Sequence, residues 1–397
     1  MELYWLLIGG AAAFLVAWIN GANNAANAIG TAVGSRALSV KQALWFAALF
    51  DFTGAMIFGR FVSKTLLKGI VDTSQIGSAY IIVVGMISAL FATGIWVIIA
   101  TLLKIPMSIS QAIVGGVTGF GLMVLGVEGV NWAKITEIII SWLVLPFMSA
   151  VIAIGLYYLL VKLTREITRR NLIILALTLY TLMVYTTALL LGIKTLKISD
   201  IVYALLESLV YTIIFLVPFA VYIYHKTPRE PREAKRFMFR LLLIASAAAM
   251  AFSHGANDVA NSAGPLSGVI YAVFYDSVPS RVTIPIEALA LSAFGIASGI
   301  LIWGYSVVET IGEKITPLGI DTAFIAQFSG SIAVLIVTRM GLPVSTTVSI
   351  VGAVAGVGLA RGVSNVNLRL LAKIITAWFI GFPFVAGLTA LMLFFLI

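Results

Sequence analysis

Two stretches of the chain hold polar side chains in a pattern suited to binding an ion. The first reads Asn20-Gly21-Ala22-Asn23-Asn24-Ala25-Ala26-Asn27. The second reads His254-Gly255-Ala256-Asn257-Asp258-Val259-Ala260-Asn261. The side-chain carbonyls of Asn23, Asn24, Asn27, Asn257 and Asn261, with the Asp258 carboxylate, are hard oxygen ligands for a small cation. Spacings of three and four residues place several of them on one helical face. A single Asn in an apolar segment more often hydrogen-bonds a neighbouring helix. Six polar residues in two matched motifs favour a site.

A second pair of motifs suits an anion. Ile105-Pro106-Met107-Ser108-Ile109-Ser110 is matched by Leu342-Pro343-Val344-Ser345-Thr346-Thr347. Proline interrupts the preceding helix and Ser or Thr caps a new one. The free N–H groups at such a helix start, together with the helix dipole, favour negative charge. Ser108, Ser110, Gln111, Ser345, Thr346 and Thr347 add side-chain donors. Neither motif contains Lys or Arg, so the anion would be held by neutral donors and any co-bound cation. The alternative is a pair of kinked helices with ordinary hydroxyl back-bonds. Asp51 lies in an apolar run, and its repeat-matched position is Ile296. An isolated carboxylate there is a candidate coupling group, with protonation or pairing to a base such as Arg60 as the alternative. Glu207 reads as interfacial and Glu287 as lying near a helix end. Trp5, Trp142 and Trp378 read as membrane-interface aromatics.

The elements that position these groups must be membrane helices. The chain has 397 residues, 61% hydrophobic and 10% charged, with a mean hydropathy of +1.09. A soluble domain carries about 25% charged residues. About a dozen apolar segments can be marked, near 3–19, 39–62, 79–103, 111–127, 135–162, 171–192, 200–224, 238–253, 284–306, 322–340, 345–360 and 370–396. The apolar stretch from Leu3 to Ile19 reads as part of the mature fold, not as a cleaved signal, with Asn23, Asn24 and Asn27 sitting just after that apolar helix. The chain has no cysteine, and its two histidines, His225 and His254, lie far apart. Disulfides, thiol nucleophiles and multi-histidine metal centres are thereby excluded. With no nucleotide loop, nucleophile elbow or metal-ligand cluster, the sequence reads as a non-enzyme without a cofactor.

The net charge of +9 gathers in two basic loops, 162–171 and 225–240. Attraction to anionic lipid accounts for them without nucleic acid. Two crossings separate them, so both fall on one side, which the positive-inside rule makes cytoplasmic. Counting back puts the N-terminus outside, with Lys64 and Lys68 obeying the rule imperfectly. The matched motifs recur in order, each followed by a Val-Gly pair (Val114-Gly115, Val351-Gly352) and a Trp then Pro-Phe (Trp142 and Pro146-Phe147; Trp378 and Pro383-Phe384). The division reads as a first repeat over 1–162, a two-helix linker over 163–240 and a second repeat over 241–397. An odd number of crossings between equivalent points inverts the second repeat. The fold class is thus an all-α polytopic membrane protein with inverted repeats and interrupted helices or re-entrant half-helices, an architecture of secondary transporters.

Gly21-Ala22-Asn23-Asn24, Gly255-Ala256-Asn257-Asp258-Val259-Ala260-Asn261 and both Pro-x-Ser motifs resemble the inorganic phosphate transporter (PiT) family. The resemblance covers almost the whole chain. It implies phosphate uptake by symport with sodium or protons in the inner (plasma) membrane. The run Gly21 to Gly34 looks more like the sodium-coupled members. On that reading, phosphate lies between the two Pro-x-Ser helix starts and sodium at the Asn/Asp motifs. Asp51 stands where sodium-coupled relatives often carry Glu. Asn24 departs from the family's usual Asp, Gln111 stands where many relatives have His, and Gln327 where some have Glu. Proton coupling, sulfate or another oxyanion, and, more remotely, an ion channel stay open as alternatives. A homo-oligomer is also left open.

Overall fold

The structure is a computed structural model that describes residues 3–62, 69–195, 201–275, 284–339 and 345–397. Lys64, Lys68 and the Leu342-Pro343-Val344 segment lie outside the described residues, as does the Arg60 side chain. The described residues are helical throughout apart from turns and one isolated bridge, Val71 to Val130. The principal helices are α1 (Tyr4–Gly34), α2 (Val40–Val62), α3 (Ala79–Leu102), α4 (Ile109–Leu125), α5 (Trp132–Thr164), α6 (Arg169–Thr195), α7 (Ile201–Lys226), α8 (Pro231–Asp258), α9 (Ala260–Tyr275), α10 (Ile286–Trp303), α11 (Ile320–Arg339), α12 (Thr346–Ala360) and α13 (Leu368–Phe394). Among the described residues, nine helical segments are long and apolar enough to cross a membrane, Pro231–Tyr275 counting as one. Ile109–Leu125, Ile320–Val334 and Thr346–Ala360 are shorter apolar helices.

Glycines let the two halves interlock through bare backbone. A Cβ on Gly21 of α1 would lie 2.0 Å from the Ile296 carbonyl oxygen of α10. A Cβ on the repeat-matched Gly255 of α8 would lie 1.9 Å from the Asp51 carbonyl oxygen of α2. Gly115 and Gly119 of α4 likewise abut Phe382 and Ala386 of α13, while Gly352 and Gly356 of α12 abut Pro146 and Ala150 of α5. Each half therefore packs its helices on those of the other half. Such close approach is how membrane helices gain contact energy where lipid competes for apolar surface.

The broken helices form two hairpins, α3–α4 and α11–α12. The first begins beside the start of α1, where Trp5 and Tyr80 meet at 5.7 Å, and its connecting segment reaches Asn23. The second lies beside the end of α1, where Thr31 bonds Gln327, and the start of α12 reaches Asn27 and Asn24. The two thus approach the same point from opposite ends of α1, as inverted repeats require. Each hairpin is followed by the same punctuation. Gly126 and Gly362 take positive φ (72° and 119°), and Asn131 and Asn367 cap α5 and α13 by accepting from Lys134 N and Leu370 N.

Three expectations need correction. The Asn20–Asn27 motif does not follow α1 but sits inside it, in one unbroken helix of 31 residues. The basic stretch 225–240 is mostly helix. Glu230 caps α8 by accepting from Arg232 N and Glu233 N, and Pro231 occupies the first turn, so the helix starts ahead of its apolar part. Trp378 is no interface aromatic. It is 7% exposed, and its indole donates to the Pro106 carbonyl at 3.0 Å.

Candidate functional site

The extended segment joining α3 to α4 leaves backbone groups that helix geometry cannot pair. In a membrane interior such groups must find protein partners. Asn23 supplies two of them: its Nδ2 donates to the Ile105 carbonyl (3.1 Å), and also to Thr101 Oγ1 (2.9 Å), and its Oδ1 accepts from Met107 N at 2.7 Å. Thr310 donates to the Lys104 carbonyl, Trp378 to that of Pro106 and Thr347 to that of Met107. With the segment so held, Ser108 caps α4 by accepting from Gln111 N, and Ser345 caps α12 by accepting from Val348 N. Each cap satisfies one of the free N–H groups at a helix start and leaves others directed outward along the axis.

The Asn-rich motif of α1 faces these helix starts. Asn20, Asn23, Asn24 and Asn27 are all buried, none more than 1% exposed. Asn27 Nδ2 donates to Thr347 Oγ1 at 2.8 Å and to Thr346 Oγ1 at 3.4 Å, while its Oδ1 has no partner. Thr347 Oγ1 also donates to Asn24 Oδ1 at 3.2 Å. Asn24 Nδ2 in turn donates to Asp258 Oδ2 (3.2 Å) and to Asn20 Oδ1 (2.9 Å). A second meeting point joins Ser110 Oγ to the Asn261 carboxamide at 3.2–3.3 Å. Of the residues read as anion- and cation-binding, Thr346, Thr347, Asn24, Asn27 and Asp258 meet in one hydrogen-bonded cluster, and Ser110 and Asn261 form a second pair. Asn257 is turned away, its Nδ2 donating to Ser253 O one turn back on its own helix. Gln111 is buried and borders a separate cavity.

Asp51 is not an isolated carboxylate. It is fully buried, with its Oδ1 2.5 Å from His254 Nδ1. His254 Nε2 lies 3.2 Å from Asp258 Oδ2. The imidazole therefore lies between two carboxylates, hydrogen-bonded to Asp51 and close to Asp258 without hydrogen-bond geometry, and His254 Nε2 and Asp51 Oδ2 are both left without a hydrogen-bond partner. The close approach of α2 at Gly255 creates this alignment. His254 had no assigned role in the sequence reading. The signal was the alignment itself, which pairs His254 with Asn20: Asn20 Nδ2 donates to the Asp258 carbonyl at 3.4 Å while His254 faces its carboxylate. Thr31 and Gln327 extend the network, joined at 2.7 Å, with Gln327 donating to the Asn27 carbonyl. Among the described residues, no group of three or more His, Cys, Asp or Glu is arranged to hold a metal.

Comparison with known proteins is consistent along the whole chain. A model of the phosphate transporter family matches residues 20–390. A protein of Pyrococcus abyssi named as a phosphate permease is 35% identical over 98% of this chain and 97% of its own length. The chloroplastic inorganic phosphate transporter 2-1 of Arabidopsis thaliana is 30% identical over 95% of this chain and 70% of that protein. A solved structure named the sodium-dependent phosphate transporter matches with a TM-score of 0.92 and 36% identity, over 99% of both chains.

Proposed function

Because this chain belongs to the phosphate transporter family, we propose that it imports inorganic phosphate by symport with sodium through alternating access. It is an integral membrane protein and not an enzyme. The observation that carries the reading is the meeting of two opposed, Ser-capped helix starts with a buried amide and carboxylate cluster containing no lysine or arginine. Phosphate is held by helix-start N–H groups with Ser108, Ser110, Ser345, Thr346 and Thr347, with Gln111 behind them at the border of the separate cavity. Sodium takes oxygens from Asn24, Asn27 and Asp258, with Asn261 at the adjoining pair. Asn23 acts by fixing the segment before α4, and Asp51 acts through His254. The cation offsets the charge of the anion where no permanent base does so, and both partners can then leave.

Movement of the two hairpins relative to the long helices opposite them opens the site to either side in turn. Function needs no cofactor, only the ion gradient. The basic ends of α5, α6 and α8 face the cytoplasm and the N-terminus lies outside. The division at 162 and 240 separates the repeats from the α6–α7 linker.

The test is radiolabelled phosphate uptake into proteoliposomes with an inward sodium gradient against a matched potassium control. Uptake only with sodium, competed by arsenate and not by sulfate, is the expected result. Equal uptake in both would remove sodium coupling. Uptake driven by a pH gradient alone would move coupling to protons at the Asp51–His254–Asp258 set, the second reading that this geometry favours.

A further inference from the structure

Between α5 and α13, beside both half-helices, lies a cavity of about 350 Å³. This is near the lower end of the roughly 300–1,000 Å³ of small-molecule sites. Its walls are apolar, with Pro146, Phe147 and Ala150 from α5, Gly352 from α12 and Trp378 and Phe382 from α13. Those α5 residues lie roughly 20–27 Å along a helix of about 50 Å, far from either end. The mouth faces outward, where Phe147 is 72% exposed. On a membrane helix that direction is lipid.

One buried amide borders the chamber. Gln111 is 3% exposed, and its Oε1 has no hydrogen-bond partner. The Trp378 indole N–H is already committed to the Pro106 carbonyl. A buried acceptor left unpaired is costly. Among the described residues no hydroxyl, carboxylate, amine or second amide lines the cavity, and the Trp142 indole is the other polar group on its wall, so a water would find at most the minimum of the two to four partners that an ordered site provides. No charged residue lines it either, which excludes an ionic ligand, and its depth excludes a phospholipid headgroup. What fits is an apolar body with one uncharged donor.

We propose that this chamber binds a lipid-phase alcohol or phenol whose hydroxyl donates to Gln111 Oε1, and that occupancy slows transport. The site stands on the cavity and on Gln111; its effect on transport rests on the function proposed above. The occupant lies beside the two glycine seams, Gly115 and Gly119 on Phe382 and Ala386, and Gly352 and Gly356 on Pro146 and Ala150. Movement of α4 or α12 must slide along these seams. A molecule wedged between α5, α12 and α13 fixes them.

The test titrates the protein in nanodiscs with a brominated 4-alkylphenol, whose bromine quenches nearby indoles, beside the matching alkylbenzene. Saturable quenching by the phenol is expected, with the alkylbenzene at least about tenfold weaker. Ala150→Phe, which fills the chamber from α5, abolishes the saturable component. Gln111→Leu lowers the phenol to the affinity of the alkylbenzene, a second check should Ala150→Phe fail to fold. In proteoliposomes the phenol slows phosphate uptake by the wild type, whereas Ala150→Phe, whose ring fills the same chamber against the Gly356 seam, takes up phosphate slowly without phenol and is slowed no further by it. Non-saturable quenching that is equal in wild type and variants overturns the site, and equal inhibition of both proteins overturns its coupling to transport. If the wild type takes up no phosphate, the transport reading fails while the binding arm still decides the site.

Discussion

Gly255→Ala is the sharpest perturbation of the candidate site that leaves every polar group in place. The added Cβ would lie 1.9 Å from the Asp51 carbonyl oxygen and 2.6 Å from its carbonyl carbon. To restore an ordinary carbon–oxygen contact of about 3.3 Å, α2 must retreat by about 1.4 Å. No flexible side chain can absorb this, because both contacting surfaces are backbone. The retreat carries Asp51 away from His254, opening a contact of 2.5 Å. Overpacking of this kind costs about 1–3 kcal/mol of stability, and misplacement of a functional group by about 1 Å can cost on the order of 100-fold in rate. The assay is sodium-driven phosphate uptake into proteoliposomes, with thermal unfolding measured on the same preparations. Gly155→Ala serves as the control, since a Cβ there meets nothing within 4 Å. Gly255→Ala is expected to lose uptake by a factor of 10 to 100 while folding, and Gly155→Ala to match the wild type. Uptake at the wild-type rate by Gly255→Ala would refute the claim that the Asp51–His254–Asp258 alignment serves transport.

Three further outcomes are expected. Asp258→Asn keeps the shape of the cluster and removes a charge; the sodium concentration for half-maximal uptake rises at least about tenfold, or about 1.4 kcal/mol of cation binding, and an unchanged sodium curve would remove the cation role. Asn23→Ala strands Met107 N and the Ile105 carbonyl at about 1–3 kcal/mol for each buried group; the unfolding temperature and uptake both fall, and a wild-type unfolding temperature would contradict the pinning role. Thr347→Val removes the hydroxyl shared by Asn24, Asn27 and Met107, so uptake falls about tenfold or more and Thr347→Ser restores it; equal rates for the Val and Ser variants would show that the methyl group matters and the hydroxyl does not.

The fold class was legible because apolar composition, matched motifs and proline breaks are local properties of the chain. The caps at Ser108 and Ser345 were legible for the same reason. The partner of Asp51 was not. It depends on α2 of one half packing on α8 of the other, and a residue 203 positions away in the chain leaves no spacing signal. The backbone partners of Asn23 were hidden for a related reason. Its spacing is that of a ligand, yet its amide is committed to the backbone that Pro106 leaves exposed. The continuity of α1 through its motif was hidden because a run of small residues and amides reads equally as a helix end or as a tightly packed helix interior. The second motif stays helical too, with Val259 at φ −55° and ψ −28° and helical bonds on both sides of it, so the two strings differ in the charge they carry and not in backbone.

That difference between the halves bears on how the site handles charge. α1 contributes only neutral amides, Asn24 standing where the matched motif has Asp258. The charged groups all belong to the α2–α8 seam, as Asp51, His254 and Asp258. With His254 neutral the set carries two negative charges, and with His254 protonated it carries one. With both carboxylates ionised the set is net negative and buried, and among the described residues Asn24 links it to Thr347 at the start of α12. An anion arriving at that helix start meets like charge in a medium where charges separated by several ångströms interact strongly. Helix-start dipoles contribute about half a charge each, too little to reverse the sign. On the proposed function, the expected order is therefore cation at Asp258 before phosphate: raising sodium lowers the phosphate concentration for half-maximal uptake, and a phosphate affinity independent of sodium would refute that order.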